Sequence, residues 1–294
     1  MSGQLKEVRN RIKSIQSGQQ ITKAMKMVSA AKLRRAQDAI LLMRPYAVKL
    51  QEMLQNIVSN SEGNIDTPLA AHRQVEKVLI VVVTSDRGLC GAFNSNLIKT
   101  TKRLIREKYQ EQFEQGNVEL LPIGKKGYDH FVQNGYKVNS AFWQLFSNLT
   151  FEQVKEAASI ALNGFINGTY DAVDIVYSEF KNAATQVYVT EQFLPIAKVE
   201  NQDKSSLKAD FIFEPEKDTL IGELMPKILN TQFFKAVLDN HASEHGARMT
   251  AMDKATENAS ELLRNLKISY NRARQAAITT ELTEIVSGAA ALAN

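Results

Sequence analysis

The fold is decided by a stretch near the carboxyl terminus, residues 249–280, which reads MTAMDKATENASELLRNLKISYNRARQAAITT. Apolar or small side chains recur along it at alternating steps of three and four residues. These positions are Met249, Met252, Thr256, Ala259, Leu263, Leu266, Tyr270, Ala273, Ala277 and Thr280. A repeat of about 3.5 residues marks the seam of a left-handed coiled coil. We therefore expect a long helix that pairs with a second helix.

The amino-terminal segment supplies a matching helix. Leu5, Val8, Ile12 and Ile15 recur at steps of three and four, and the first proline is Pro45, where we expect a kink. At about 1.5 Å per residue, a terminal helix of roughly 70 residues would extend about 100 Å. Two such helices predict an antiparallel coiled coil that projects from a compact central domain.

The central region has a different pattern. Residues 75–83, VEKVLIVVV, form a continuous β-branched apolar run, which predicts a strand covered on both faces. Helical and extended segments then alternate, and this alternation predicts an open α/β, Rossmann-like domain. We expect helices over 95–108, 128–134 and 151–167, and strands over 118–123, 173–180, 186–194 and 211–213.

These patterns divide the chain into four parts. We expect a long helix over residues 1–57, a polar linker over 58–74, the α/β domain over 75–214 and the second long helix over 215–294. A polar stretch at 199–210 is a predicted surface loop within the third part. The predicted fold class is therefore α/β, with a coiled coil of the two terminal helices.

Composition excludes several classes of protein. With 294 residues, 44% of them hydrophobic, the chain is able to bury a sizeable core. The single cysteine, Cys90, rules out an intramolecular disulfide and a cysteine-based zinc site, as expected of a reducing cytoplasm. No stretch approaches the ~20 apolar residues of a membrane span, and the start lacks an apolar signal-peptide core. We expect a soluble, unprocessed chain.

Charge is distributed unevenly along the chain. Residues 1–57 contain eleven Lys or Arg against Glu7, Asp38 and Glu52, although the whole chain carries only +4. Such asymmetry favours an acidic partner, which is a nucleic acid, an anionic lipid or a carboxylate-rich protein. Single-stranded nucleic acids stack on aromatic side chains, and Tyr46 is the only aromatic residue in this segment. A protein partner is therefore favoured over a nucleic acid.

One sequence motif is a candidate metal site. Residues 241–245, HASEH, match the inverted zinc pattern H-x-x-E-H, which places His241 and His245 one helical turn apart. The sequence marks no third ligand, since the other histidines lie at positions 72 and 130. We therefore interpret the motif as a polar helix face and expect no metal.

Two turns are candidate phosphate sites. Residues 85–91, SDRGLCG, and the lysines Lys125 and Lys126 after Gly124 each follow a predicted strand, where α/β proteins commonly bind phosphates. Neither turn contains G-x-G-x-x-G or G-x-x-x-x-G-K-[ST]. No serine or cysteine is accompanied by a credible base. We expect no nucleotide, no cofactor and no complete active site in this chain.

The end of the second long helix combines two compositions. Between Glu261 and Glu281 lie four basic residues and no acidic one, namely Arg264, Lys267, Arg272 and Arg274. The following residues, LTEIVSGAAALAN at 282–294, contain one charged side chain. We expect this tip to sit inside an apolar sleeve formed by other chains. The alternative is a tip folded back onto the α/β domain.

Four stretches resemble the gamma family of F-type ATP synthases. They are IKSIQSGQQITKAMKMVSAAKLRRAQ at 12–37, TSDRGLCGAFNSNL at 84–97, SEHGARMTAMDKATENASELL at 243–263 and YNRARQAAITTELTEIVSGAAAL at 270–292. The last is the most specific, because family members share it almost unchanged. The chain departs from the common DRGLCGGLN by Ala92 and Phe93, and it lacks the cysteine-bearing insert of chloroplast relatives.

The resemblance implies a rotating shaft inside a hexamer of alpha and beta subunits. The central domain is then a foot bound to the epsilon subunit and the membrane ring of c subunits, peripheral to the cytoplasmic face of the bacterial inner membrane. Arg274, Gln275 and Thr279 match family positions that contact a catalytic-subunit loop. Met25 and Arg87 match positions near the acidic helix-turn-helix that transmits torque. Nucleic-acid binding and catalysis by the α/β domain are the competing functions.

Overall fold

The computed structural model describes residues 2–59, 68–71, 73–183, 185–196 and 217–292. Two long helices, α1 (Ser2–Ser59) and α6 (Lys217–Leu292), flank a region of alternating strands and helices. That region contains β1 (Val78–Val83), α2 (Phe93–Lys108), α3 (Gln110–Glu114), β2 (Val118–Ile123), α4 (Lys125–Gln133), α5 (Phe151–Ile166), β3 (Ala172–Phe180) and β4 (Gln186–Leu194). The predicted loop at 199–210 and strand at 211–213 lie outside the described residues.

The chain forms two compact units. One, the coiled-coil unit, comprises Met1–Ser29 with Arg248–Asn294, and the other, the α/β unit, comprises Ala30–Ala247. Each long helix contains one proline, Pro45 or Pro226, and the helical assignment continues through both. The kink expected at Pro45 stays a prediction. Among the described residues, none of the helices combines the length and apolarity needed to span a membrane.

The predicted seam is confirmed in the coiled-coil unit. All ten predicted α6 positions are buried or half-buried. All the remaining residues between 257 and 280 are exposed. Contacts between the helices fix their direction: Arg9 Nη2 donates to the Tyr270 hydroxyl at 2.9 Å, and Gln19 Nε2 donates to Ser260 Oγ at 2.6 Å. Because residue numbers rise in α1 as they fall in α6, the two helices are antiparallel.

Polar side chains fill part of this seam. The hydroxyls of Thr22 and Thr256 lie 2.8 Å apart and share a hydrogen bond, and Lys26 Nζ lies 2.5 Å from Asp253 Oδ1. A polar residue in a coiled-coil seam tolerates few alternative partners, so it specifies register at some cost in stability. These layers therefore fix which residue of α1 faces which residue of α6.

The last turns of α6 extend beyond this pairing. Residues 281–289 are all exposed. The cause is the register, because Arg9 already lies beside Tyr270 and α1 begins at Ser2. In the described part of the chain, no α1 residue remains to cover the tip. The apolar sleeve of other chains and the alternative of a tip folded back onto the α/β domain both stay predictions.

The sheet of the α/β unit has the strand order β2-β1-β3-β4. Strand β1 pairs in parallel with β2 and β3, and all six of its residues are buried, which confirms the prediction for this apolar run. Strand β4 pairs with β3 in the antiparallel direction. Only residues 181–185 separate these two strands, and a parallel crossover needs a dozen or more residues.

Helix α6 packs against this sheet within the α/β unit. The backbone N–H of Ser178, in β3, donates to Asn240 Oδ1 at 3.0 Å, and Ser243 Oγ donates to the Ser178 carbonyl at 3.2 Å. A Cβ atom at Gly246 would lie 3.0 Å from the carbonyl oxygen of Ala183. Glycine therefore permits the close approach of the helix to the β3–β4 connection. The apolar part of this face consists of Met225, Leu229, Phe233, Ala236 and Val237.

Two neighbouring leucines in α6 test the seam. Leu263 lies on it and is 8% exposed, whereas Leu262 points away and is 38% exposed. We expect Leu263→Ala to lower the free energy of unfolding by about 2 to 3 kcal/mol, because it leaves a cavity between the helices. Leu262→Ala should cost under ~1 kcal/mol. Urea unfolding of the purified chain, followed by circular dichroism at 222 nm, measures both. Equal losses would contradict the assigned seam.

Candidate partner-contact sites

The distal part of α6 presents hydrogen-bonding groups to the outside. Arg274, Gln275 and Thr279 are all exposed. The neighbouring Ala273 and Ala277 occupy the seam positions. The Thr279 hydroxyl donates to the Gln275 carbonyl at 3.0 Å, which leaves its oxygen able to accept from a partner. The guanidinium and the amide supply donors, so this surface suits a partner loop rich in carbonyl or carboxylate oxygens.

The four basic residues predicted near the end of α6 are exposed. Beyond them the exposed side chains become apolar: Ile278, Leu282, Ile285 and Val286 are between 49% and 67% exposed. Contiguous exposed apolar side chains of this size mark protein interaction surfaces. The end of α6 is therefore a cationic band followed by an apolar tip, and both are available to other chains.

Met25 lies at a different level of the coiled coil. It is half-buried, and its neighbour Lys26 pairs across the seam with Asp253. At about 1.5 Å per residue, the α6 segment from Asp253 to Arg274 spans about 30 Å. Met25 and Arg274 therefore lie at separate levels of the same unit.

Arg87 lies in a rigid turn after β1, in the α/β unit. Its side chain is exposed, and its carbonyl accepts a hydrogen bond from Ser85 Oγ at 2.7 Å. The Ser85 N–H donates to Asn94 Oδ1 at 3.0 Å, and Asn94 Nδ2 donates to Cys90 Sγ at 3.2 Å. Asn94 thus connects both ends of the turn to α2. The turn holds Arg87 in a fixed position at the surface.

The amino terminus of α4, the second candidate phosphate site, is filled by groups of the chain itself. The Lys125 N–H donates to Asp86 Oδ1 at 3.1 Å, and the Gly127 N–H donates to Thr84 Oγ1 at 2.9 Å. Gly124 has a φ of 106°, and a Cβ atom there would lie 2.5 Å from the Thr84 carbonyl oxygen. The N–H groups that would hold a phosphate already have acceptors, one of them a carboxylate.

A nucleotide should therefore bind weakly if at all. We expect calorimetry of the purified chain with magnesium-ATP to give no dissociation constant below about 10 µM, which corresponds to about −7 kcal/mol. A P-loop ATPase measured in the same buffer is the control. Tighter binding, abolished by replacing the exposed Lys125 and Lys126 with alanine, would mean that this turn is a phosphate site.

The two histidines of the H-x-x-E-H motif contact each other. His241 Nε2 and His245 Nε2 lie 3.1 Å apart, and the His241 ring stacks on Phe146 with ring centroids 5.5 Å apart. A hydrogen bond between the rings needs one nitrogen to donate and the other to accept. In the described part of the chain, no three His, Cys, Asp or Glu side chains are grouped so that they would hold a metal ion.

The zinc content tests this interpretation. We expect His241→Gln with His245→Gln to leave both the zinc content and the assembly of the protein unchanged, because two ligands rarely hold zinc without a third. Elemental analysis of the purified wild-type and double-variant proteins measures it. Stoichiometric zinc that is present in the wild type and lost from the variant would overturn the prediction.

Sequence reasoning missed a buried charge in the sheet. Asp174 in β3 is fully buried, and its carboxylate accepts from the Tyr109 hydroxyl at 2.8 Å and from Lys108 Nζ at 3.1 Å. Burial, followed by the charge of Asp174, raises the pKa of Tyr109 and keeps the phenol protonated. The signal was an aspartate inside an otherwise apolar strand, AVDIVY. This network joins the end of α2 to the sheet.

A second network borders a cavity of about 1030 Å³ between α1, α6 and the ends of β3 and β4. Glu191 accepts from the Tyr177 hydroxyl at 2.9 Å and from Gln232 Nε2 at 2.5 Å. Burial, followed by the charge of Glu191, raises the pKa of Tyr177. Each carboxylate oxygen of Glu191 therefore accepts a hydrogen bond from a side chain of this chain.

Known proteins match this chain from end to end. The sequence fits the ATP synthase family over residues 4–292. The ATP synthase gamma chain of Cytophaga hutchinsonii is 53% identical over 292 residues, with 99% of each chain covered. The gamma chain of Flavobacterium johnsoniae is 52% identical over 289 residues, with 98% of each covered. The chain belongs to the ATP synthase gamma family.

Solved structures of this family share the fold. A chain in the central stalk and c-ring structure of Tetrahymena thermophila mitochondrial ATP synthase matches with a TM-score of 0.57 and 28% identity, covering 80% of this chain and 99% of that one. A chain of Euglena gracilis mitochondrial ATP synthase matches with a TM-score of 0.66 over 99% of this chain and 95% of that one, at 21% identity. The predicted α/β fold with long terminal helices is confirmed.

The structure distributes the family's predicted contact residues over both units. Arg274, Gln275 and Thr279 lie on adjacent turns of α6, and all three are exposed. Met25 belongs to the same unit at another level, and Arg87 belongs to the α/β unit. The contact residues that the family resemblance predicts therefore do not all lie in one unit of this gamma chain.

Proposed function

We propose that this gamma chain is the central-stalk rotor subunit of an F-type ATP synthase. It couples ion flow through a membrane ring to conformational change at the catalytic sites of the surrounding hexamer, in ATP synthesis or in ATP-driven ion pumping. The observation that carries the proposal is the distal end of α6, a single exposed helix with a cationic band and an apolar tip. A helix of this composition requires a surrounding of other chains.

The coupling follows from the asymmetry of the shaft. Arg274 and Gln275 lie on one side of α6, so rotation brings their donors to each catalytic subunit in turn. A charge-assisted hydrogen bond that forms in one rotary state stabilises that state relative to the others. The polar seam layers at Thr22 and Lys26 fix the register of the two helices and thereby the positions of the contact residues.

The family resemblance suggests partners for each unit. We assign the coiled-coil unit to the alpha and beta subunits, with Met25 near an acidic helix-turn-helix of the catalytic subunit. Arg87 belongs to the α/β unit, and we place it near the same helix-turn-helix. We assign the rest of the α/β domain, over residues 75–214, to the epsilon subunit and the ring of c subunits. The hydrogen bond from the Ser178 N–H to Asn240 Oδ1 joins α6 to the sheet, so a force on the sheet would be passed to the helix. The protein is then peripheral, on the cytoplasmic face of the bacterial inner membrane.

The chain itself is proposed to be non-catalytic and free of cofactors. The acceptors at the amino terminus of α4 belong to Asp86 and Thr84, which argues against a nucleotide there. A nucleic-acid adaptor is disfavoured because Tyr46 is the only aromatic residue in the basic segment 1–57. An enzyme built on the α/β domain is disfavoured because the buried Asp174 and the half-buried Glu191 are both engaged by side chains of the chain itself.

Copurification tests the proposed function. After mild detergent extraction, affinity-tagged chain should be recovered together with the catalytic hexamer and the membrane ring, at one copy per complex by quantitative mass spectrometry. Recovery as a free monomer with catalytic activity of its own would refute the proposal.

The roles along α6 are separable by mutation. We expect Arg274→Ala with Gln275→Ala to slow ATP hydrolysis by the assembled complex by roughly ten- to a hundredfold, because a charge-assisted hydrogen bond contributes ~1.5 to 3 kcal/mol. Deletion of residues 288–294 should slow it less, because an apolar helix end makes few directional contacts. Steady-state turnover of the purified complexes measures both changes.

Subunit stoichiometry is the control for this comparison, since an unassembled complex says nothing about rotation. Arg272→Ala, which removes a neighbouring exposed charge, is the matched variant and should have a smaller effect than the double variant. If equally assembled complexes are slowed more by the deletion, the tip bears the torque and the assignment of Arg274 and Gln275 is wrong.

A further inference from the structure

Helix α6 takes the place of a strand beside the end of β3. The parallel pairing of β1 with β3 ends at Val82 and Val176, although β3 continues. Just beyond that end, both backbone polar groups of Ser178 bond to α6. The N–H donates to Asn240 Oδ1 at 3.0 Å, and the carbonyl accepts from Ser243 Oγ at 3.2 Å. A neighbouring strand would supply the same two partners, an acceptor and a donor, from its backbone.

Burial makes these two hydrogen bonds costly to lose. Ser178, Asn240 and Ser243 are all fully buried, so no water replaces a partner that is removed. Asn240 and Ser243 are three residues apart and lie on the same side of α6. Gly246 follows at the same spacing, and its missing Cβ atom lets the helix backbone approach the Ala183 carbonyl. These three α6 residues form one row, the keying row, along the end of the sheet.

The keying row resists a movement that apolar packing permits. The other contacts of this face of α6 are made by apolar side chains, and the attraction between apolar groups is non-directional. A hydrogen bond, in contrast, weakens steeply as its angle departs from linear. Turning α6 about its own axis would carry Asn240 and Ser243 away from the Ser178 backbone. The two hydrogen bonds therefore fix the angle of α6 about its axis against the sheet.

We infer that Asn240 and Ser243 are positioning residues that set the torsional stiffness at the base of the shaft. They act through α6, which is a continuous helix over Lys217–Leu292 and carries Arg274 and Gln275 toward its end. A turn of α6 against the sheet is then also a turn of those contact residues. The inference rests on the proposed function, in which the sheet receives the torque and the end of α6 meets the catalytic subunits.

Angular fluctuations of single complexes measure this stiffness. The catalytic hexamer is assembled with the wild-type or variant chain and fixed to a surface, a bead is attached to the α/β unit, and rotation is stalled by omitting ATP. The variance of the bead angle is inversely proportional to the torsional stiffness. We expect Asn240→Leu with Ser243→Ala to raise this variance about twofold, because both directional contacts are lost. ATP hydrolysis without a load should stay within about twofold of wild type.

Thr231→Val is the matched control. Thr231 is also buried in α6, but its hydroxyl donates to the Lys227 carbonyl of the same helix at 2.8 Å. A residue of purely structural importance lowers the free energy of unfolding without changing the variance of the bead angle, and we expect that result for Thr231→Val. An unchanged variance in the double variant, or an equal rise with Thr231→Val, would overturn the inference.

Two further outcomes also decide it. If the double variant does not assemble, Ser243→Ala alone, which removes a single hydroxyl, supports the inference by a raised variance and overturns it by an unchanged one. Rotation of the wild-type bead in magnesium-ATP is recorded first. If the wild-type bead does not rotate, the proposed function fails and the inference fails with it. If the bead rotates and the variants keep the wild-type variance, only this inference fails.

Discussion

The antiparallel pairing of α1 with α6 is the constraint on which the coiled-coil unit depends. A long amphipathic helix gains most of its stability from burying its apolar side, and each helix here buries that side against the other. Hydrogen bonds from Arg9 to Tyr270 and from Gln19 to Ser260 set one register along the pair. In the described part of the chain, that register leaves no α1 residue beside the end of α6, because α1 begins at Ser2. The exposed tip is therefore a consequence of the pairing.

The polar residues of the seam lower the stability of the coiled coil but specify its register. Thr22 with Thr256 replaces an apolar contact that would have been more stable, whereas the Lys26–Asp253 ion pair is partly exposed at the edge of the seam and contributes little stability. They exclude shifted registers, since a shift of the helices would leave these groups opposite apolar side chains. For a shaft whose contact residues must face their partners at defined levels, a fixed register matters more than maximal stability.

The α/β unit has a fold of a type that binds nucleotides in other proteins. In this chain it has a mechanical role. Parallel strands place two turns at their carboxyl ends, where related folds bind phosphates. In this chain the N–H groups of α4 are taken by Thr84 and Asp86, and the turn before α2 is fixed by Asn94. These hydrogen bonds, which would also order a ligand site, here hold the exposed side chains of the turns in place. The fold type alone therefore does not determine whether these turns bind a phosphate. The side chains within the turns determine it.

Local patterns in the sequence determined the elements of this protein. The steps of three and four in α6, the apolar run of β1 and the limits of β4 follow from side-chain periodicity, which depends on neighbours along the chain. Tertiary structure decided everything that joins distant residues. The sequence does not reveal that Asp86 caps a helix beginning 39 residues later, or that Asp174 meets Lys108 and Tyr109. It gives no sign that the backbone of Leu89 is left-handed, with a φ of 63°, because the hydrogen bonds around the turn after β1, and not the leucine itself, impose that backbone. Periodicity indicates which face of an element is buried, but the group that lies across from it is set only when the whole chain packs.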